Sequence, residues 1–564
     1  MSLKQPGSDV RLVPTVRIPR PAWNNSRWPG SLVKKLEHTW WEPAVCSLIF
    51  FLIGFALLSY PGLQNDEALA ASPLFRLADC MDHLNVFGHD VPTMLMAYLG
   101  GLKTWVYAIV FRIFAPSYVS IRMPVLLMGS ATVWILFLFM EKIQCRTAAW
   151  IAALVLATDP MFVLTTTFDW GPVALQHLLT ICGMFFLVRF QRLPGVRDLA
   201  FGFLCFGLGL WDKALFVWLF GGLLVAAMVV YSRAVVRAFS FKNLAIAALA
   251  FCLGAAPLIA FNVTTNFKTF HSTAGFTTKE IVPKIAVLLS TWDGSSLFGY
   301  LAAADTAANP KPAGNALERL SFTLHAFAGD RRRDGLWLAS LACLILLPLL
   351  WPTSAFRAGL FCVVAFCVGW LQMAVTHEAG AAAHHVVLLW PLPMILLGVV
   401  LAQSAQYWGR IGQLLMVSIT TCVVASGLLV TNQYLYQMAR NGSPGSWTDG
   451  IYSLAQGLAH AHASRIAVLD WGITTPLDVL DRGRLPLVWS YDMVAQGDTT
   501  LLADPQVLWL SHTDGNEQFP GTNVRFMAFA NQKGYRKELV ALYYDRNGRA
   551  VFQTFRVRPI SPPV

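Results

Sequence analysis

The sequence predicts an α-helical polytopic membrane protein that ends in a small extracytoplasmic α/β domain. Three observations carry that prediction. Of 564 residues, 56% are hydrophobic and only 13% charged, about half the charged fraction of a soluble domain, so water cannot solvate most of the chain. Apolar runs close to the roughly 20 residues a helix needs to cross the hydrocarbon recur from residue 43 to residue 430. The Lys and Arg fall between these runs, alternately dense and sparse, which is how topology is written into a membrane chain.

In chain order, the first element is a basic, Pro-rich stretch over residues 1–42, holding Lys4, Arg11, Arg17, Arg20, Arg27, Lys34 and Lys35. It has no signal-peptide pattern and reads as a cytoplasmic tail. Candidate spans follow at Pro43–Tyr60, Met123–Met140, Ala148–Thr165, Pro172–Val188, Leu244–Phe261, Leu336–Leu350, Ala358–Ala374, Val386–Leu401 and Ile411–Val430. Leu199–Val230 is too long for one straight helix and would bury Trp211-Asp212-Lys213 in mid-membrane, so it divides there into two spans, giving about eleven. With the N-terminus inside, the short loops 141–147, 189–198, 231–242, 351–357 and 402–410 are cytoplasmic. They carry Lys142, Arg146, Arg189, Arg192, Arg197, Arg233, Arg237, Lys242, Arg357 and Arg410, whereas the opposing loops 166–171, 211–213 and 375–385 carry Lys213 alone.

The segments 61–122, 262–335 and 431–564 then lie outside, flanking or following a transmembrane domain over 43–430. Leu102–Phe114 in the first reads as an interfacial helix, and Ala302–Asn315 in the second as a flexible loop. From about residue 465 the pattern changes to short β-like runs, Arg465–Leu469, Gln506–Leu510, Val524–Ala530, Leu539–Tyr544 and Val551–Val557. Eight of the ten cysteines lie in apolar runs and read as small packing residues, not disulfides. The net charge of +11 is dispersed between spans and makes no continuous basic surface, which argues against a nucleic-acid partner. There is no internal repeat, phosphate-cradling Gly loop or zinc-type ligand pattern.

Ionisable groups near a bilayer are costly and therefore informative. Asp66, Glu67, Lys103, Arg122, Asp169, Asp212, Lys213, Glu378, His384 and His385 all fall at outer span ends or in outer loops, where they can line one cavity. Asp66 and Glu67 are neighbours in sequence and point to different sides, so one of them is a candidate general base or metal ligand, the alternative being a solvated acidic helix start. Asp169 precedes Gly171-Pro172 and can bind a cation, pair with a Lys or Arg, or cap the following helix. Asp66 and Asp169 are the candidate ligands for a divalent cation, the only cofactor the sequence suggests. Lys103, Arg122 and Lys213 either snorkel or hold an anionic phosphate. Tyr107, Trp170, Asp212 and the pair His384-His385 are further candidates, the histidines as a proton-transfer or phosphate-binding pair or as ordinary interfacial residues.

The order Asn65-Asp66-Glu67-Ala68, Leu102-Lys103-Thr104-Trp105-Val106-Tyr107, Phe114, Ile121-Arg122-Met123-Pro124, Asp159-Pro160-Met161-Phe162 and Asp169 resembles the protein O-mannosyltransferase and aminoarabinose transferase-like group of GT-C glycosyltransferases, over roughly residues 45–260. The resemblance implies a GT-C fold with a periplasmic active site and a polyprenyl-phosphate sugar as donor. It implies that Asp66 and Glu67 are the acidic pair of the first outer loop, the first of them catalytic or metal-linked, that Asp169 is the second acidic position and that Lys103 contacts the donor phosphate, while Arg122 matches the Arg of the family's Arg-Leu-Pro sequence and Lys213 sits where relatives have a Thr-Lys-Gly-like turn. Leu102 and Thr104-Trp105 depart from the family's Glu-Lys-Pro-Pro-type motif.

The expected function is a membrane glycosyltransferase of a bacterial inner membrane that moves a sugar from a polyprenyl-phosphate donor to a lipid, glycan or protein acceptor outside. A transporter or flippase of a lipid-linked or anionic substrate would share the spans and basic pockets. It would carry symmetric halves, which the sequence lacks. A non-catalytic assembly protein is the second alternative.

Overall fold

The computed structural model describes residues 40–273, 275–303 and 310–560; the expected basic tail lies, up to residue 39, outside them. All eleven segments expected to span are helical: Trp41–Leu57, Tyr118–Ile143, Arg146–Thr158 with Pro160–Thr167, Val173–Arg192, Val196–Asp212, Phe216–Val230, Phe241–Gly254 with Ala256–Thr264, Leu336–Leu350, Ser354–Ala374, Ala383–Tyr407 and Gly409–Asn441. Five are alone long and apolar enough to cross a membrane, and eight if each bent pair is one span; Trp41–Leu57 and Leu336–Leu350 are shorter apolar helices. The long apolar run does break at Lys213, between Val196–Asp212 and Phe216–Val230.

The helices are apolar on their outward faces as well as on their packed ones, unlike those of a soluble domain. On Trp41–Leu57, Cys46 and Phe50 are buried while Leu48, Leu52 and Phe55 lie open for lipid. Small residues let the backbones approach: Ala148, Ala149, Ala152 and Ala153 are all buried, and a Cβ at Gly398 would lie 2.7 Å from the Ala148 carbonyl. The bend of 59° between Arg146–Thr158 and Pro160–Thr167 has a local cause. Pro160 opens the second helix, and the Asp159 side chain caps it by accepting from the Phe162 amide at 2.7 Å. Of the ten free cysteines, Cys46, Cys343 and Cys362 are buried, but Cys252, Cys367 and Cys422 sit on the outward apolar surface.

The bundle has two chemically different ends. At one, the expected cytoplasmic loops meet: Gln144 donates to Gln403 at 2.9 Å, Arg146 pairs with Glu42, and Arg189 with Asp198 at 3.4 Å. At the other, the segment 61–117 folds over the helices as Asn65–Leu69, a three-stranded sheet of β1 (Asp82–Val86), β2 (His89–Met96) and β3 (Leu99–Gly100), and the helix Leu102–Ile113. The helix was expected; the sheet was not. In 262–335 the structure adds the helices Lys268–Thr273, Ile281–Trp292 and Ala316–Ala328. The expected loop Ala302–Asn315 lies, over 304–309, outside the described residues, and its flanks are tied down by Ala303 N to Gly442 O and Lys311 N to Arg440 O.

The C-terminal region forms a five-stranded mixed sheet of β4 (Ile466–Val468), β5 (Leu487–Trp489), β6 (Leu508–His512), β7 (Tyr535–Tyr544) and β8 (Ala550–Pro559), in the order β5-β4-β6-β8-β7. One expected strand is corrected: Val524–Ala530 lies in the helix Thr522–Gln532. Phe526 and Ala530, one helical turn apart, are both buried, with Phe526 packing on Trp509, while Val524 is exposed. A helical face explains that pattern and strand alternation does not. This domain shares a hydrophobic core with the first loop, in which Leu63, Ala68, Leu95 and Ile121 pack with Ile451, Ile466, Val468 and Leu508.

Candidate active site

A cavity opens at the loop-rich end of the bundle, lined by Asp66, Tyr98, Lys103, Trp170, Gly171, Lys213, His384 and His385 over an apolar floor of Leu69, Leu95, Met96 and Leu99. Four chain segments far apart in sequence therefore meet here, and of the ten ionisable residues expected to line one cavity, Asp66, Lys103, Lys213, His384 and His385 line this one, whereas Glu67, Arg122, Asp169, Asp212 and Glu378 do not. What each charged group does inside that convergence is more varied.

Asp66 and Glu67 sit on the short helix Asn65–Leu69, capped by Gln64, and diverge. Asp66 faces the cavity; its one side-chain bond is from Asn65 at 3.1 Å. Burial lifts its pKa above the ordinary carboxylate range, opposed by the neighbouring Asn65 and Gln64 amides and by the Lys213 charge. Glu67 turns inward, 1% exposed, with both oxygens on Arg122 at 2.6 and 2.8 Å. Arg122 spends its three remaining N–H groups on the carbonyls of Leu58, Pro61 and Gly62, at 2.7, 3.1 and 2.8 Å. All five guanidinium donors are thus used, and Arg122 is fully buried over the Phe168 ring. The expectations of a catalytic Glu67 and a phosphate-binding Arg122 are corrected. The pair is a clamp that fixes the first loop on the bundle and, through it, the position of Asp66.

Asp169 combines two of its sequence readings. Its Oδ1 accepts from the amides of Val173 and Ala174 at 2.6 and 3.1 Å, capping Val173–Arg192, and its Oδ2 accepts from Lys103 Nζ at 2.9 Å. With both oxygens engaged and no exposed surface, it is not a free base; it holds Lys103. Lys103 also donates to the Asp169 carbonyl at 3.1 Å, which leaves one N–H for the cavity. Despite complete burial, which opposes charge, the Asp169 carboxylate keeps its pKa raised. A metal site at Asp66 and Asp169 does not fit these partners: Asp169 is saturated, and among the described residues no three His, Cys, Asp or Glu gather to hold an ion.

Lys213 is the opposite case. Its backbone is pinned by a bridge to Leu99 and by Ala214 N to Tyr98 O at 2.9 Å, yet among the described residues its ammonium has no hydrogen-bonding or ion-pair partner. Burial lowers its pKa to about 8, against the pull of Asp169, Asp212 and Asp66. Asp212 stays behind the cavity wall, accepting from Gln176 at 3.3 Å with its other oxygen unpartnered. Tyr107 is also structural: it is buried and donates to the Ile121 carbonyl at 2.9 Å. Trp170 donates its indole N–H to His384 Nδ1 at 2.8 Å, and His385 Nδ1 is buried without a partner.

Two aromatic residues of this end went unnoticed in the sequence. Tyr300 and Trp447 meet the Trp170 ring at 6.0 and 5.3 Å between centroids. Both lie in segments far from the charged motifs and carry no local signal. The Trp447 carbonyl also accepts from Gly62 N at 2.7 Å, tying the C-terminal region to the clamped loop.

The chain shares its fold with solved proteins over nearly its whole length, and one segment of it matches a family model. A family model described as dolichyl-phosphate-mannose-protein mannosyltransferase matches residues 102–260. The chain is similar to the structure of ArnT from Cupriavidus metallidurans in the apo state, with a TM-score of 0.54, 16% identity, and 91% of this chain and 96% of that one covered. It is equally similar to ArnT from the same organism bound to undecaprenyl phosphate, with a TM-score of 0.54, 16% identity and coverages of 92% and 98%. No curated protein matches the sequence.

Proposed function

We propose that this protein is a membrane glycosyltransferase that transfers a sugar from a polyprenyl-phosphate donor to a hydroxyl group of an acceptor outside the membrane. The observation that carries the reading is the division of labour at the cavity: among the described residues, Asp66 and Lys213 face it without an ion-pair partner, while Lys103 is paired with Asp169 and Arg122 with Glu67. Support comes from the matched mannosyltransferase family segment and from the shared fold of a protein solved with undecaprenyl phosphate.

The chemistry needs a base for the acceptor and a counter-charge for the leaving group. Asp66, made more basic by burial, takes the proton of the acceptor O–H. The acceptor oxygen then bonds to the anomeric carbon as that carbon's bond to the phosphate oxygen breaks. The electron pair leaves on polyprenyl phosphate, whose charge Lys213 and the free N–H of Lys103 offset. An acceptor that is itself anionic would bring a second negative charge to a cavity with one uncommitted cation, so a neutral hydroxyl fits better. The apolar floor at Leu69, Leu95, Met96 and Leu99 suits a lipid-linked donor. The positive-inside pattern supports an orientation with this end outside and the N-terminus in the cytoplasm, in the bacterial inner membrane of this reading.

The test is transfer of radiolabel from polyprenyl-phosphate sugars in membranes containing wild type, Asp66→Asn or Lys103→Ala. Loss of label transfer in both variants is expected, with protein levels checked by immunoblot. Undiminished transfer in both would overturn the site. A flippase would instead move labelled lipid between leaflets without forming a glycosylated product.

A further inference from the structure

His384 and Gly171 extend the site in a way that charge alone does not reveal. Gly171 has a φ of +96°, and a Cβ built on it would lie 3.3 Å from Lys213 Nζ, 3.4 Å from His384 Cδ2 and 3.8 Å from His384 Nε2. The missing side chain leaves a notch walled by an ammonium and by the imidazole edge that bears Nε2. The other ring nitrogen is fixed. An indole N–H can only donate, so the 2.8 Å contact from Trp170 Nε1 makes His384 Nδ1 an acceptor and therefore unprotonated. The imidazole is then neutral, with its proton on Nε2, and among the described residues no protein acceptor takes that Nε2–H.

We propose that Gly171, Lys213 and His384 form a notch for one oxygen of the departing phosphate, with Trp170 as the positioning residue that holds His384 as an Nε2–H donor. The inference rests on the polyprenyl-phosphate reading above and adds three residues to it. Lys213 supplies charge and His384 supplies direction. A rigid donor aimed at a developing oxyanion costs nothing to reorganise during the reaction. A neutral imidazole also spares the buried cavity a second full charge. Trp170 itself is braced by Tyr300 and Trp447, so the donor's orientation is set by rings from three parts of the chain.

A double-mutant cycle with two lipid probes tests this. Full-length protein in detergent is titrated with undecaprenyl monophosphate and, separately, with undecaprenol, which lacks the phosphate. His384→Ala should weaken monophosphate binding roughly 10- to 100-fold, the range of one hydrogen bond to a charged group, and leave undecaprenol binding unchanged. His384→Gln carries an N–H donor that needs no indole to set its tautomer. Trp170→Phe should therefore weaken monophosphate binding about 10-fold in the wild-type background but less than 2-fold in the His384→Gln background. Equal losses for both lipids, or an equal Trp170→Phe effect in both backgrounds, would overturn the notch, because a merely structural Trp170 behaves that way. Wild-type protein that fails to prefer the monophosphate would overturn the functional reading as well. Preference in wild type with indifferent variants overturns the notch alone.

Discussion

At the scale of single residues, the site is a matter of which charges are spoken for. Asp66 and Lys213 are the two free ones, and they titrate in opposite senses. The proposed reaction needs Asp66 ionised, so kcat/KM is expected to rise as pH climbs through a carboxylate pKa that burial holds above the usual value of about 4. It needs Lys213 protonated, so kcat/KM falls as pH passes about 8, where the buried ammonium loses its proton. A bell-shaped profile is expected in the free enzyme. Lys213→Arg should remove the alkaline limb, because a guanidinium stays charged above pH 12; an unmoved limb would reassign it. Asp66→Asn should lower the rate by roughly 10²- to 10⁴-fold, the usual worth of a general base, without changing donor affinity. Sequence motifs drew attention to the right positions but not to their roles. Asp66 and Glu67 are adjacent in the chain, and nothing local says that one faces a cavity and the other a guanidinium 55 residues away.

At the scale of elements, the Glu67–Arg122 clamp explains how a loop of irregular structure holds the Asp66 carboxylate still. Three backbone carbonyls and one carboxylate converge on one guanidinium that links the Tyr118–Ile143 helix to the loop. A buried ion pair adds little net stability against an apolar replacement, but breaking one side leaves an uncompensated buried charge. Arg122→Met should accordingly cost about 3–5 kcal/mol, measured as a lower midpoint in thermal or denaturant unfolding. A phosphate ligand would instead lose donor affinity at unchanged stability, which separates the two roles. The spans were legible because lipid imposes composition over some 20 residues at a time. The sheet β1–β3 was not: its longest strand has eight residues, and Pro92 lies within it. The strand expected at Val524–Ala530 failed for a related reason, since a seven-residue window fits either period until Phe526 and Ala530 are seen on one face.

At the scale of the whole molecule, the C-terminal region is less separable than its change in sequence pattern implies. A change from apolar runs to short alternating ones reads as a domain hung on a membrane anchor. In the structure it closes over the first loop: Arg546 pairs with Asp449 and donates to the carbonyls of Ser59 and Tyr60 at 3.0 and 2.8 Å. Arg76 of the loop donates to Leu487 O of β5 at 2.9 Å. A Cβ on Gly62 would stand 2.0 Å from the Thr448 carbonyl, so the two backbones meet where no side chain fits. A chain stopped after Asn441 would uncover Leu63, Ala68, Leu95 and Ile121, which share a core with that region. Each large apolar side chain among them contributes about 1.5–3 kcal/mol by its burial, comparable in sum with the stability of a whole domain. The truncated chain should therefore lose the ordered loop that carries Asp66, giving protease sensitivity between residues 61 and 117 and no binding of undecaprenyl monophosphate. Gly62→Val in the full-length chain should act in the same direction more weakly, since it parts the contact at one point. Limited proteolysis followed by mass spectrometry reads both. A truncated chain with a protected loop and intact lipid binding would mean that the C-terminal region is an appendage and that the cavity is built by the membrane helices alone.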